Sequence, residues 1–173
     1  MNEAVLYALA GVAVTFAGFS GVVVVLPLRG APVWSPTEIR MLQLLIADSL
    51  VVLFLALLPV PLSLATWPSD TIWGLCSALL GSWFLVGDFL AIRGECRDRT
   101  AKQSNTNPVS APIRYGIYLV AFVMGVVLFF SVWGLVVSVG QALYVLGLIV
   151  LLAIAAVEFL FFIGLMLQQD RDY

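Results

Sequence analysis

Three acids, Asp48, Asp88 and Glu158, stand inside stretches otherwise long and apolar enough to cross a bilayer, and no Lys, Arg or His lies deep in those stretches to neutralise them. An ionised Asp near the middle of a membrane costs roughly 2.5 to 3.5 kcal/mol on insertion scales, so each acid requires a partner, a proton or a function. Two carboxyls in contact share protons or a cation, because like charges in a low dielectric cannot both ionise without compensation. That is the chemistry of a proton relay or a cation site, with Ser49 and Ser77 as supplementary oxygens and the identity of any metal left open. The plainer alternative is a protonated acid that hydrogen-bonds across a helix interface and holds a bundle or an oligomer together, worth about 1 kcal/mol.

The elements that must position these groups follow from composition. With 62% hydrophobic and 10% charged residues and a mean hydropathy of +1.10, the chain has too little polar surface for a water-soluble globule of its length. An integral membrane protein is expected, solvated by lipid and formed as an all-α polytopic bundle. The net charge of -2 says little, since the charges are segregated along the chain. No basic stripe points to nucleic acid.

Spans are expected at about residues 4–28, 36–58, 70–92, 114–138 and 142–167, within a single membrane domain covering 1–173. The first is apolar without a charge, and about 20 such residues suffice to cross a hydrocarbon core of roughly 30 Å. Only Met1, Asn2 and Glu3 precede it, which is not the basic n-region of a cleavable signal, so it is expected to stay in the mature protein. Ser35, Pro36, Thr37 and Glu38 form a capping box with proline at the first helical position. Pro59 and Pro61 are expected to stop that helix. The turn Trp67, Pro68, Ser69 opens the third span, which can continue for a turn or two through Arg99 into a basic loop at 93–113. The apolar run from Tyr115 to Leu167 is too long for one helix and right for two, with Gly140 and Gln141 at the hairpin.

Five spans place Arg29, Arg40, Arg93, Arg97, Arg99, Lys102, Arg114 and Arg171 on one side and no basic residue on the other, a strong positive-inside signal. The expected topology is therefore N-terminus out and C-terminus in. Trp67, Trp73 and Tyr144 then fall at the outer interface, and Trp34 and Tyr115 at the inner one. A bacterial or archaeal plasma membrane is the expected location. The net positive loop is a candidate for binding anionic lipid, although topology alone also demands its charge.

Small residues recur at three- and four-residue spacing. In the first span Gly11, Ala17, Gly18 and Gly21 are expected to let a neighbouring helix approach closely, and in the third Gly74, Ala78 and Gly81 do the same. The sharper reading of the third span is a narrow polar track from Ser77 past Gly81 to Asp88. Asp88 lies five residues before Arg93 and is expected to be a boundary group, solvated or paired with that arginine. Asp48 and Glu158 are deeper, roughly 13 to 18 Å from the inner ends of their helices at 1.5 Å per residue, and their depths overlap. Overlapping depth allows them to meet, and leaves open whether they face each other, a partner protomer or a water-filled path.

Other chemistries lack their residues. The chain has no His and no CxxC, which excludes thiol relays, zinc proteases and histidine-ligated haem. No span carries a Lys for a retinal Schiff base, and no P-loop, GxGD run or Ser/His pair is present, so no cofactor and no enzymatic activity are expected. Cys76 and Cys96 sit at opposite ends of one helical stretch and are expected to be unbridged. Phe19, Ser20 and Gly21 depart from the FSD motif of lysosomal-type potassium channels, with glycine in place of Asp and a different span count. The run Ala17-Gly18-Phe19-Ser20-Gly21-Val22-Val23, followed by a basic residue, a proline-terminated second helix and a Leu- and Phe-rich last helix, resembles small uncharacterised prokaryotic multi-span membrane proteins. That resemblance implies no activity. Five helices enclose little interior, so a homo-oligomer is expected, either as a cation or proton channel or transporter, or as a non-transporting scaffold whose buried acids and small-residue faces specify assembly.

Overall fold

The structure, a computed structural model, describes residues 3–25, 36–65, 67–100, 111–132 and 140–169. All regular structure among them is helical: α1 (Glu3–Val25), α2 (Pro36–Leu57), α3 (Pro59–Leu64), α4 (Ser69–Thr100), α5 (Ala111–Ser131) and α6 (Gln141–Gln169). Four stretches, Ala4–Val22, Leu42–Leu64, Ser69–Gly94 and Gln141–Gly164, are long and apolar enough to cross a membrane. The apolar run on α5, Tyr115–Ser131, is shorter. The rest of the expected fourth span lies largely outside the described residues, as do the cap residue Ser35 and the interface candidate Trp34.

Helix starts obey local chemistry. Pro36 opens α2, where its missing N–H would have had no intrahelical partner. At α4 the Pro68 carbonyl accepts from Thr71 N at 3.0 Å and Ile72 N at 3.2 Å, and Asp70 in the first turn complements the helix dipole. The Gly140 carbonyl performs the same service for α6, accepting from Leu143 N at 3.1 Å.

Pro59 does not stop the second helix in the expected way. It ends the α2 ladder at Leu57, but Leu58 keeps right-handed helical dihedrals (φ -56, ψ -40) and Pro59 becomes the first residue of α3. A proline removes a donor and crowds the preceding turn, yet its φ suits a helix, so the chain continues helically to Leu64. The end comes at Ala65, whose N–H returns to Leu62 O at 3.1 Å. At the other boundary α4 runs on through Thr100, beyond the expected span and into the basic stretch.

The chain divides into two compact units. One comprises Met1–Leu57 with Leu148–Tyr173, the other Leu58–Gly147. In the first, α1 runs closely along α2, burying Leu6, Ala10 and Ala13 of α1 and Leu42, Leu45, Val52 and Ala56 of α2. The C-terminal part of α6 joins α1 through aromatic rings: Phe159 meets Phe16 edge-on at 5.9 Å and Phe19 at 6.4 Å.

In the second unit α4 and α5 approach until backbone touches side-chain positions. A Cβ at Gly81 would lie 2.9 Å from Phe129 N and 3.0 Å from Gly125 O, and one at Gly125 would lie 2.9 Å from Phe84 Cβ. Gly147, at the start of α6, faces Leu80 and Leu128. Gly74 makes only ordinary contact, 3.9 Å to Val132 Cγ1, and Ala78 is half-buried.

The first helix corrects its expected packing face. Gly11, Gly18 and Gly21 are exposed and have open space where a Cβ would stand, while Ala17 is half-buried. The buried stripe of α1 is instead Leu6, Ala10, Ala13 and Ser20. Small spacing alone does not tell which side of a helix meets a neighbour.

Alanine at Gly81 or Gly125 is expected to destabilise by about 1 to 3 kcal/mol, the usual range for overpacking. At Gly11 or Gly18 it is expected to be neutral or stabilising by up to about 1 kcal/mol, through helix propensity. Gly147→Ala should fall between, since the obstructing atoms are leucine tips. Thermal unfolding in detergent ranks these variants, and equal melting of Gly81→Ala and Gly18→Ala would contradict the packing.

Candidate functional site

Asp48 and Glu158 both belong to the first unit. Asp48 projects from the middle of α2 with only 9% of its surface exposed, beside the fully buried Ser49. Glu158 projects from α6, next to the Phe159 ring that engages Phe16 and Phe19. Glu158 interacts electrostatically with Asp48. Glu158 Oε2 is enclosed and has no hydrogen-bond partner.

Ser49 serves its own helix. Its Oγ donates to Leu45 O at 2.8 Å, and Ser20 on α1 likewise donates to Phe16 O at 2.8 Å. A serine with this i−4 bond has used its only proton and keeps acceptor lone pairs. Ser49 therefore offers an oxygen to a proton or a cation but no donor to a carboxylate.

Asp88 and Ser77 are in the second unit. Asp88 is 7% exposed, and no hydrogen bond reaches its Oδ2. The expected pairing with Arg93 is therefore not made at that oxygen. Five residues on a helix turn the side chain by about 140°, away from the acid's face, and Arg93 is exposed. The acid is buried and not solvated.

Ser77 Oγ is also buried and without a partner. Ser77, Gly81, Phe84 and Asp88 fall on one face of α4, as residues four, seven and eleven apart must. The expected polar track along that face is closed. Between Ser77 and Asp88 the α5 backbone fills the Gly81 position and Phe84 packs on Gly125, so the two polar groups are separated by close-packed chain.

A further polar contact was not legible beforehand. Tyr144 and Cys76 share a side-chain hydrogen bond, and the Tyr144 ring lies 5.8 Å from Trp73. Tyr144 is fully buried and Trp73 nearly so, so near the starts of α6 and α4 both rings pack within their unit, while Trp67 is exposed. An aromatic with a polar tip suits an interface or a buried partner equally well. The sign that favoured the second was Cys76, a small polarisable group in an apolar helix, and its thiol is free.

The described residues contain no group of three or more His, Cys, Asp or Glu able to hold a metal ion. They define an all-helical chain with helices long and apolar enough to cross a membrane, carrying enclosed carboxyls. No family model, curated protein or solved structure matches the chain.

Asp88→Leu is expected to leave stability unchanged or raise it by about 1 kcal/mol or more, because an unsatisfied buried acceptor carries its desolvation cost without return. Unfolding in detergent measures this. A loss above about 3 kcal/mol would reveal a charged partner for Asp88.

Proposed function

We propose that this is a five-span integral membrane protein, N-terminus out, that works as a homo-oligomeric channel or transporter for cations or protons. The observation that carries the proposal is the Asp48–Glu158 pair, two carboxyls from different helices within Coulombic reach and with one oxygen enclosed and unpartnered. Intramembrane acids are costly, and two acids that interact electrostatically are suited to exchanging a positive charge. Asp88 supplies a further buried acid, and Ser49 an acceptor oxygen. The extension of α4 into the basic stretch suits an inner side facing anionic lipid, where the Lys and Arg cluster adds attraction.

A second reading, a scaffold rather than a transporter, is favoured by one observation. The outward small residues of α1, Gly11, Gly18 and Gly21, leave room for another helix to approach, which is how small-residue faces assemble in membranes. The two readings share an oligomer and differ in whether charge moves.

Reconstitution in liposomes separates them. Asp48→Asn and Glu158→Gln are each expected to abolish most of the cation or proton flux while retaining the oligomer seen by crosslinking. Wild-type protein that carries no flux under either a pH or a salt gradient, and acid variants that fall apart, would replace transport by assembly as the role of the pair.

A further inference from the structure

We propose that the ligand of the Asp48–Glu158 pair is a proton, resident on the Glu158 carboxyl, and that the pair is not a metal-cation site. This rests on the reading of the pair as the working site and names its substrate class.

A metal cation stripped of water needs several oxygens at once, six to eight for calcium and a near-octahedral set for magnesium. The pair has two carboxyls and, among the described residues, no third His, Cys, Asp or Glu joins them. Ser49 keeps acceptor lone pairs while donating to Leu45 O, and one such oxygen with two carboxyls still falls short of a calcium or magnesium shell. The residue after Glu158, Phe159, packs its ring against Phe16 and Phe19, which supply no oxygen. A proton needs far less: one oxygen and a second acceptor nearby.

The state of Glu158 Oε2 points the same way. An enclosed oxygen with no donor reaching it is poorly placed to be a carboxylate oxygen beside another acid, since an ionised carboxylate in a low dielectric requires donors or a counter-charge. On a protonated acid the same oxygen is a hydroxyl or a weakly basic carbonyl. Asp48 is the titratable group on α2 that acts electrostatically on Glu158. On α1 the other described titratable side chain is Tyr7, which is half-exposed. One proton on the pair removes the repulsion, and its transfer between the two acids requires no ligand shell to be rebuilt.

A protonated carboxyl in apolar surroundings reacts with dicyclohexylcarbodiimide. The acid proton moves to a carbodiimide nitrogen, the carboxylate oxygen bonds to the central carbon to give an O-acylisourea, and the acyl group then migrates to nitrogen as a stable N-acylurea. All atoms are retained and nothing is oxidised or reduced. The full chain in liposomes is treated with this reagent, digested and analysed by mass spectrometry. The expected result is one carbodiimide adduct on Glu158, lost as the pH is raised and unaffected at fixed pH by sodium, potassium, calcium or magnesium. The adduct should persist in Asp48→Asn and vanish from that position in Glu158→Gln. Protection by any of those cations at fixed pH, or absence of the adduct from wild-type Glu158 throughout the pH series, overturns the proposal. Because the wild-type map suffices, a variant that fails to fold leaves the test intact. Flux is read separately: a pH-dependent adduct in protein that moves no protons upholds the resident proton and overturns the transport reading alone.

Discussion

A helix in an apolar medium has to satisfy its own polar groups, since no solvent will do so, and this constraint orders the interior of the protein. The hydroxyls obey it by turning back on their helices. Thr15 donates to Gly11 O at 2.9 Å, Ser82 to Ala78 O at 2.7 Å and Ser131 to Leu128 O at 2.8 Å, alongside Ser20 and Ser49. Carboxyls cannot do this when ionised, because a helix offers its carbonyls and not its N–H groups to a side chain in mid-span. A protonated acid can donate, but it still leaves its second oxygen to find a donor. Among the described residues the enclosed side-chain atoms without a partner are Glu158 Oε2, Asp88 Oδ2 and Ser77 Oγ, and two of the three belong to acids for this reason.

The two units meet the same constraint with different packing. In the second, glycine brings α4 and α5 together until Gly81 and Gly125 exclude even a methyl group. Such contact leaves no room for water or an ion beside it, which is why the polar groups at Ser77 and Asp88 do not form a continuous path along α4. In the first unit α6 is held by phenylalanine rings.

Much of this organisation is legible in the residues. The apolar runs, Pro36 at the start of α2, the turn at Pro68 and the start of α6 after Gly140 all follow from elementary helix rules, and the overlapping depth of Asp48 and Glu158 follows from rise per residue. What was hidden is azimuth. Gly11 and Gly18 have the spacing of a packing face just as Gly74 and Gly81 do, but only the choice of neighbour decides which face is used. Tyr144 could equally have been an interface anchor, and its burial depends on Cys76 and Trp73 standing opposite. Pro59 is read correctly as a break in the hydrogen-bond ladder and wrongly as the end of the helix, because proline's φ is helical even though its nitrogen has no proton.

The same azimuthal information distinguishes the acids. Asp88 is as buried as Asp48, so depth and burial do not separate them, and composition treats all three alike. The separation comes from company. Asp88 is flanked on its face of α4 by Phe84 packed on Gly125, and its surroundings act on it through burial and not through a second carboxyl. Glu158 has Asp48. Charge transfer between sites requires at least two acceptors whose occupancies depend on each other, and a single buried acid, however costly, lacks that dependence. Coupling between two carboxyls, rather than their cost in lipid, is therefore what sets α2 and α6 apart from α4, and it is the feature on which the proposed proton site rests.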